Sequence, residues 1–424
     1  MLKPITRPGR FPAERSPAVY DTPFWLTYAG NTCLMAAVSV LFRYSDFVRH
    51  VGGAERQLGL IVGVGAVGAL AMRLIQGIGI DRFGPRAIWL LSLVGFIASC
   101  GLHLTIASAF GAPVFAAQIL MKTSLAGAFG ASIAFTSLRA PQGRMAEMIG
   151  MLGSSGFVGM AMGPVLGDYL FSLPGSEAGH VQSMFLSAIA AGMLSLLLAT
   201  LATRGEVRPT PSRRPSSWKL VGRYHPGALL AVAVAMGLGL GLPSVFLRPF
   251  AQSVGIEKLR WFFLVYAATA FSVRIATRRW PEQLGLRPMI LAGSAALAGS
   301  MLAFLCVSQP WMMVLPAMVI GTAHAFLFPT VMAAGSLSFP ARYRGLATTV
   351  TLAMFDLGNL IGQPLVGEVI EGAKSFGLPP YPTMFVMVSS AIAVATIAYA
   401  VCPEPVRRSA GKPRPVLSAA VMKA

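Results

Sequence analysis

The feature that most restricts this chain is a succession of twelve apolar segments, each about 20 residues long, separated by short polar stretches. A helix of that length crosses the hydrocarbon of a bilayer, where every backbone N–H and C=O must find a partner inside the protein. The segments run Phe24–Asp46, Gln57–Ile80, Ala87–Ser108, Ala112–Ser137, Met148–Leu170 and Val181–Thr203, then Gly227–Phe250, Leu259–Ala276, Met289–Val307, Trp311–Gly335, Gly345–Ile370 and Tyr381–Cys402. They are too long for barrel strands and lack strict alternation, so helices are expected. Only 12% of residues are charged against 55% hydrophobic, too few charges to clothe a water-facing surface. The fold expected is therefore an all-α membrane protein with twelve transmembrane helices.

The net charge of +19 would point to nucleic acid in a soluble protein. Here its placement gives another reason. With the N-terminus inside, the inner segments hold 24 Lys and Arg and the outer loops 5. That bias places both termini in the cytoplasm, with basic residues facing anionic lipid, and a bacterial inner membrane is the expected location. The first apolar run is too long for a signal peptide and lacks a small-residue cleavage site, so it is read as a retained span. Cys33, Cys100, Cys306 and Cys402 form neither a disulfide framework nor a metal pattern, and neither a metal nor a cofactor is expected.

The second half of the chain echoes the first. Arg73, Asp81, Gly84 and Arg86 recur as Arg274, Glu282, Gly285 and Arg287 at an offset of 201. Arg144, Pro164, Gly167 and Asp168 recur as Arg344, Pro364, Gly367 and Glu368 at an offset of 200. A duplication of this kind implies two six-helix bundles related by a pseudo-twofold axis, with a cavity between them. The organisation expected is a cytoplasmic tail (1–22), a first bundle (23–203), a central cytoplasmic loop (204–226), a second bundle (227–402) and a cytoplasmic tail (403–424). The central loop is rich in Pro, Ser and Arg and reads as a flexible connection.

Between spans two and three stands Gly77-Ile-Gly-Ile-Asp81-Arg82-Phe-Gly84-Pro-Arg86. It resembles the loop signature of the major facilitator superfamily, G-x-x-x-D-R-x-G-x-R, at the place expected for it. The resemblance implies conformational gating by Gly77, Asp81, Arg82, Gly84 and Arg86, with Glu282 and Arg287 as counterparts. It also implies that Asp81 faces the N-terminal end of span eleven and stabilises the outward-open state, where the helix dipole presents partial positive charge. In span five Gly150, Gly159, Gly163, Pro164 and Gly167 resemble the antiporter motif of the same superfamily, with Asp168 where a second Gly is usual. Gly159 and Gly163 give a smooth face for helix packing. Gly321 through Pro329, Arg344-Gly345 and Phe355-Asp356-Leu357-Gly358 resemble the sugar-efflux and multidrug-exporter-like branch. One departure is that the Arg usual in span four is replaced by Thr123, with Lys122 beside it.

Ionisable groups inside a span are costly and normally face a cavity or a partner. The basic ones are Arg43, Arg73, Lys122, Arg248 and Arg274. Arg43 and Arg248 lie near the outer ends and are expected to snorkel. Arg73 and Arg274 form a symmetric pair that either binds local carbonyls or holds an anion across the cavity, as a resemblance to nitrate/nitrite porters implies. Asp356 is either a proton carrier or the partner of a buried Arg. Asn31, Lys122 and His324 complete the candidate cavity set, His324 reading as a hydrogen-bonded structural group. Gly237, Gly239, Gly241 and Pro243 mark span seven as flexing, cavity-lining or closely packed.

These readings favour a monomeric secondary transporter that moves a small solute by alternating access, with proton-coupled efflux as the leading form. An anion porter is the alternative, and a non-transporting sensor with a transporter fold the alternative of another class. No Walker-type loop argues for an ATP-driven pump, and no paired His or carboxylate cluster argues for an enzyme. The topology is checked by single-cysteine labelling in sealed cells: position 176 should react from outside and position 214 only after permeabilisation.

Overall fold

A computed structural model of the chain describes residues 20–53, 55–206, 217–256 and 260–402. Every regular element among them is helical. Nine helices are long and apolar enough to cross a bilayer. Two bent pairs, Leu60–Arg73 with Ile75–Phe83 and Leu229–Pro243 with Val245–Ser253, and the shorter apolar helix Trp261–Ala276 occupy the remaining places of the twelve.

In order, the spans are Thr22–Val40 continued through a 3-10 turn by Tyr44–His50, then Glu55–Phe83, Pro85–His103, Ala112–Arg139, Met145–Ser172 and Glu177–Ala202. The second half comprises Leu229–Ser253, Arg260–Ala276, Leu286–Ala303, Val314–Ser338, Arg344–Ser375 and Pro380–Val401. Helix starts follow capping rules. Asp21 accepts the Phe24 N–H ahead of span one, and Ser176 accepts the Gly179 N–H ahead of span six. Gly84 and Gly285 precede spans three and nine with φ of +87° and +90°, a conformation that costs a side-chain-bearing residue dearly. Each is followed within three residues by a proline in the first turn of the next span.

Packing obeys the repeat. In the first half span one lies against spans five and six, spans two and three against span four, and span three against span six. In the second half span seven lies against eleven and twelve, spans eight and nine against ten, and nine against twelve. The halves meet where span two touches eleven, five touches eight and ten, and four touches eleven. One apolar core lies within the first half around Phe47, Phe96 and Phe185; the other centres on Phe262, Phe304 and Phe385 of the second half and takes in Ile133, Met145, Ile149 and Leu152 of the first.

Glycines set the closest approaches. A Cβ at Gly159 would lie 2.5 Å from the Thr32 carbonyl oxygen, and one at Gly163 would collide with Ser39. Across the pseudo-axis, a Cβ at Gly237 would strike the Phe355 carbonyl and one at Gly358 the Val234 carbonyl. The glycines of span seven thus serve close helix contact. Pro243 and Pro249 lie within the same helix.

The central connection departs from the expected flexible loop. It contains the helix Ser217–Tyr224, whose Leu220 is buried against Phe339, Tyr343 and Leu346. Leu220, Val221 and Tyr224 recur at helical spacing and supply an apolar face. The rest of that connection from 207 to 216, the tails at 1–19 and 403–424, and the side chains of Pro164, Asp168 and Arg248 lie outside the described parts. Arg43 does not simply snorkel: its Nε donates to Asp46 at 2.9 Å and its guanidinium lies 4.0 Å from the Phe171 ring centroid.

The glycine contacts yield a stability test. Gly163→Leu should lower the melting temperature of the purified protein, overpacking of this kind costing about 1–3 kcal/mol. Gly372→Ala, where nothing lies within 4 Å of the added carbon, should leave it unchanged.

Candidate functional site

The groups that join the halves lie in two layers. The first is at the face that carries both ends of the described chain. Asp81, at the end of span two, accepts the backbone N–H of Gly345 at 2.8 Å and of Leu346 at 3.0 Å. These are the first donors of span eleven, unpaired within their own helix and at the positive end of its dipole. Gly345 must be glycine for this approach, since a Cβ there would lie 2.6 Å from Asp81 Oδ1. Beside it Arg344 Nη1 donates to the Ser137 carbonyl of span four at 2.8 Å. Gly77 sits against Thr349 in the same seam.

The symmetric position is built more loosely. Glu282 stands 3.9 Å from Arg144 Nε, while Arg144 donates twice to Glu147 at 2.6 Å. Glu147 is 2% exposed and also accepts from Tyr20, with Arg278 of the other half 3.9 Å away. Burial, and then the bond to Glu147, push the Tyr20 hydroxyl above the usual phenol range, so it stays a donor. The hydrogen bond to Glu147 raises the Arg144 guanidinium further, so it stays charged.

Other residues of the loop signature act within their own half. Arg86 Nη1 donates to the Thr203 carbonyl at the end of span six, and Arg287 Nη2 to the Ala400 carbonyl at the end of span twelve. A cation there satisfies carbonyls that a helix C-terminus leaves open. Arg82 is exposed, its guanidinium 5.3 Å from the Phe83 ring.

The second layer lies mid-membrane. Arg73 of span two is 6% exposed, its Nε donating to Asp356 of span eleven at 2.7 Å and its Nη1 to the Ala126 carbonyl at 2.9 Å. This ion pair bridges the halves. Of the two roles open to Asp356 in the sequence, partner of a buried Arg is the one its geometry displays. Arg274 differs from its repeat mate. It is 3% exposed, Nη2 donates to the His324 carbonyl at 2.9 Å, Nε has no acceptor, and among the described residues no carboxylate pairs with it. Its guanidinium lies 5.0 Å from the Phe157 ring of span five and 6.0 Å from that of Phe328. The two arginines, a symmetric pair in the sequence, thus have different partners: Asp356 and a carbonyl for Arg73, a carbonyl for Arg274.

Lys122 is half-buried in span four, its stem against Gly65 of span two, and no hydrogen bond or ion pair reaches its ammonium among the described residues. His324 pairs with the Tyr266 hydroxyl through Nδ1 at 2.5 Å and packs edge-on to Phe157. Asn31 is 6% exposed and donates to Ser155 at 2.7 Å, a bond joining spans one and five. Tyr28 and Ser154 make the same kind of contact one turn away. Gly150 lies against Pro329 of span ten, and Gly167 against Phe42. Sequence reasoning passed over Glu147, Tyr20, Phe157, Phe328 and Tyr266. Only Glu147 carried a signal, an acid three residues after Arg144 at the start of an apolar span.

A sequence profile of the Major Facilitator Superfamily matches residues 24–363. The chain belongs to that superfamily. A search of curated proteins found no match. Among solved structures, the E. coli fucose:proton symporter FucP superposes with a TM-score of 0.71 at 15% identity, covering 90% of this chain and 99% of that one. The human organic anion transporter MFSD10 gives 0.67 at 16%, covering 89% and 99%. The proton:xylose symporter XylE gives 0.69 at 14%, covering 90% and 96%. At these identities the likeness is one of fold, and the charges of this chain must supply the rest.

Asp81→Asn should weaken the seam at the terminal face, since hydrogen bonds to a charged group contribute about 1.5–3 kcal/mol. A cysteine placed at Ser137 should then react at least tenfold faster with a water-soluble maleimide than in the otherwise unaltered protein.

Proposed function

We propose that this superfamily member is a secondary transporter of small organic anions, working by alternating access with its terminal face in the cytoplasm. The observation that carries the reading is the charge of the mid-membrane layer. Arg73, Lys122 and Arg274 stand there against one described carboxylate, Asp356, which Arg73 already engages. Uncompensated cations at that depth are costly and are retained where a ligand or ion supplies the missing charge. The fold neighbours include sugar symporters and an organic anion transporter, so fold alone leaves the substrate class open, and the excess of positive charge favours an anion.

Asp356 is the candidate for proton coupling. Its side chain is 31% exposed, so water from the hollow can deliver a proton to it. Protonation removes the charge that ties span eleven to Arg73 and loosens one of the two layers holding the halves together. A protonated Asp356 leaves Arg73 without its carboxylate and open to an anion, so proton binding and anion binding at this layer are linked. The glycine pattern of span five supports export over uptake. Asp81 on the N-terminus of span eleven supports the outward-facing state as the one described. The reading requires no enzyme chemistry, and one chain holds both halves of the site.

The test uses the full chain in liposomes loaded with a pH-sensitive dye. A gradient of benzoate should drive a faster pH change than in protein-free liposomes, where neutral benzoic acid crosses unaided, and a gradient of fucose should drive none. Asp356→Asn should abolish the excess over protein-free liposomes. Lys122→Gln should raise the half-saturating anion concentration about tenfold, the equivalent of about 1.4 kcal/mol. Equal flux with the neutral sugar, or wild-type behaviour in both variants, overturns the proposal.

A further inference from the structure

The two inter-half arginines are related by the repeat, and so are the positions that face them. The offset of 200 that relates span five to span eleven sets Gly156 opposite Asp356. On one side of the pseudo-axis a guanidinium meets a carboxylate across the interface. On the other, the corresponding guanidinium meets a helix whose matching residue has no side chain at all.

The geometry around Arg274 fits an absent partner. Gly150 and Gly153 press against it, a Cβ at Gly153 falling 2.7 Å from Nη1. Phe157 covers the guanidinium from the same helix. Gly156 lies next to this face and is itself partly open, as are Gly153 and Met160 at helical spacing. A Cβ at Gly156 would meet nothing nearer than Met35 Cγ at 3.8 Å, so room exists where the other half carries its carboxylate. Arg274 Nε is buried and bonded to nothing, and an unpaired buried donor on a cation is among the costlier defects a protein can keep.

We propose that the open position at Gly156 receives the carboxylate of the transported solute, which gives Arg274 the counter-charge that Asp356 gives Arg73. This rests on the anion reading above and narrows it to small monocarboxylates with a flat apolar body. The single charge follows from a single unpaired guanidinium, and a planar oxyanion matches the fork of Nε and Nη donors. The flat body follows from the surfaces beside the slot, the Phe157 ring and the flexible Met35 side chain. Bound there, the solute completes a second bridge and makes the two sides of the pseudo-axis alike, a state the empty protein lacks.

The experiment compares thermal unfolding of the purified full chain in nanodiscs with benzoate and with its neutral isostere benzamide. Benzoate should raise the melting temperature of the wild type by about 2 °C or more and benzamide should not. Gly156→Asp, with an internal carboxylate, should melt higher than Gly156→Asn without ligand and lose the benzoate shift, while Gly156→Asn keeps part of it. A benzoate shift of wild-type size in Gly156→Asp, or Gly156→Asp melting below Gly156→Asn, overturns the proposal. If neither variant folds, Arg274→Gln decides, since retention of the shift there is equally fatal. Gluconate-driven flux that depends on Lys122, with no benzoate shift in the wild type, would sink this site and leave the broader anion reading standing.

Discussion

Hydrocarbon supplies neither counter-charge nor hydrogen-bond partner, so every polar group carried into the bilayer must be answered from within the protein. Much of this architecture follows from how that demand is met. Hydroxyls of Ser and Thr return to carbonyls of their own helices, as Thr27 does to Pro23 and Thr330 to Phe326. Arginines at the terminal face close the C-terminal ends of spans six and twelve. Arg73 and Asp356 answer one another across the interface. Among the described residues some polar atoms stay unanswered, and in the mid-membrane layer they include the Nε of Arg274 and the ammonium of Lys122, the groups on which the anion proposal rests.

The duplication brings the same helix pairs together in both halves but differs in chemistry at the seams between them. Asp81 reaches the first N–H groups of span eleven, whereas Glu282, one methylene longer, stands beside Arg144 instead. The seam on the span-eleven side is made of charge-assisted hydrogen bonds, while the other is a longer-range cluster around the buried Glu147. A transporter built of two identical seams would have no reason to favour one facing over the other. In the proposed cycle, unequal seams would give one facing the lower energy and leave ligand binding to shift the balance, which takes only a few kcal/mol.

Twelve spans, their order and the place of Asp81 were legible because lipid imposes length and because the repeat registers one half on the other. Glycine contacts in span five were legible for the same reason, since small residues at helical spacing have one common use in a membrane. The site was less so. The offset that pairs Arg73 with Arg274 says nothing about which helix approaches each, and only the fold brings Asp356 to the one and Gly150 and Gly153 to the other. Asn31 looked like a cavity residue, yet its amide joins two neighbouring spans. The helix Ser217–Tyr224 hid inside a stretch whose prolines and serines masked a short apolar face. Aromatic residues such as Phe157 and Phe328 carried no mark of their own among so many apolar neighbours.

The anchoring of Arg86 to span six and of Arg287 to span twelve has a mechanical consequence. Each connects the loop nearest the seam to the helix at the end of its own bundle, so that neither loop can shift without moving a span on the far side of the same half. In the proposed alternating access, movement at the seam would pass through these bonds to the far side of each bundle. The ion pair would then lie near the fulcrum, and a short stroke at one end of the molecule would set the width of the opening at the other.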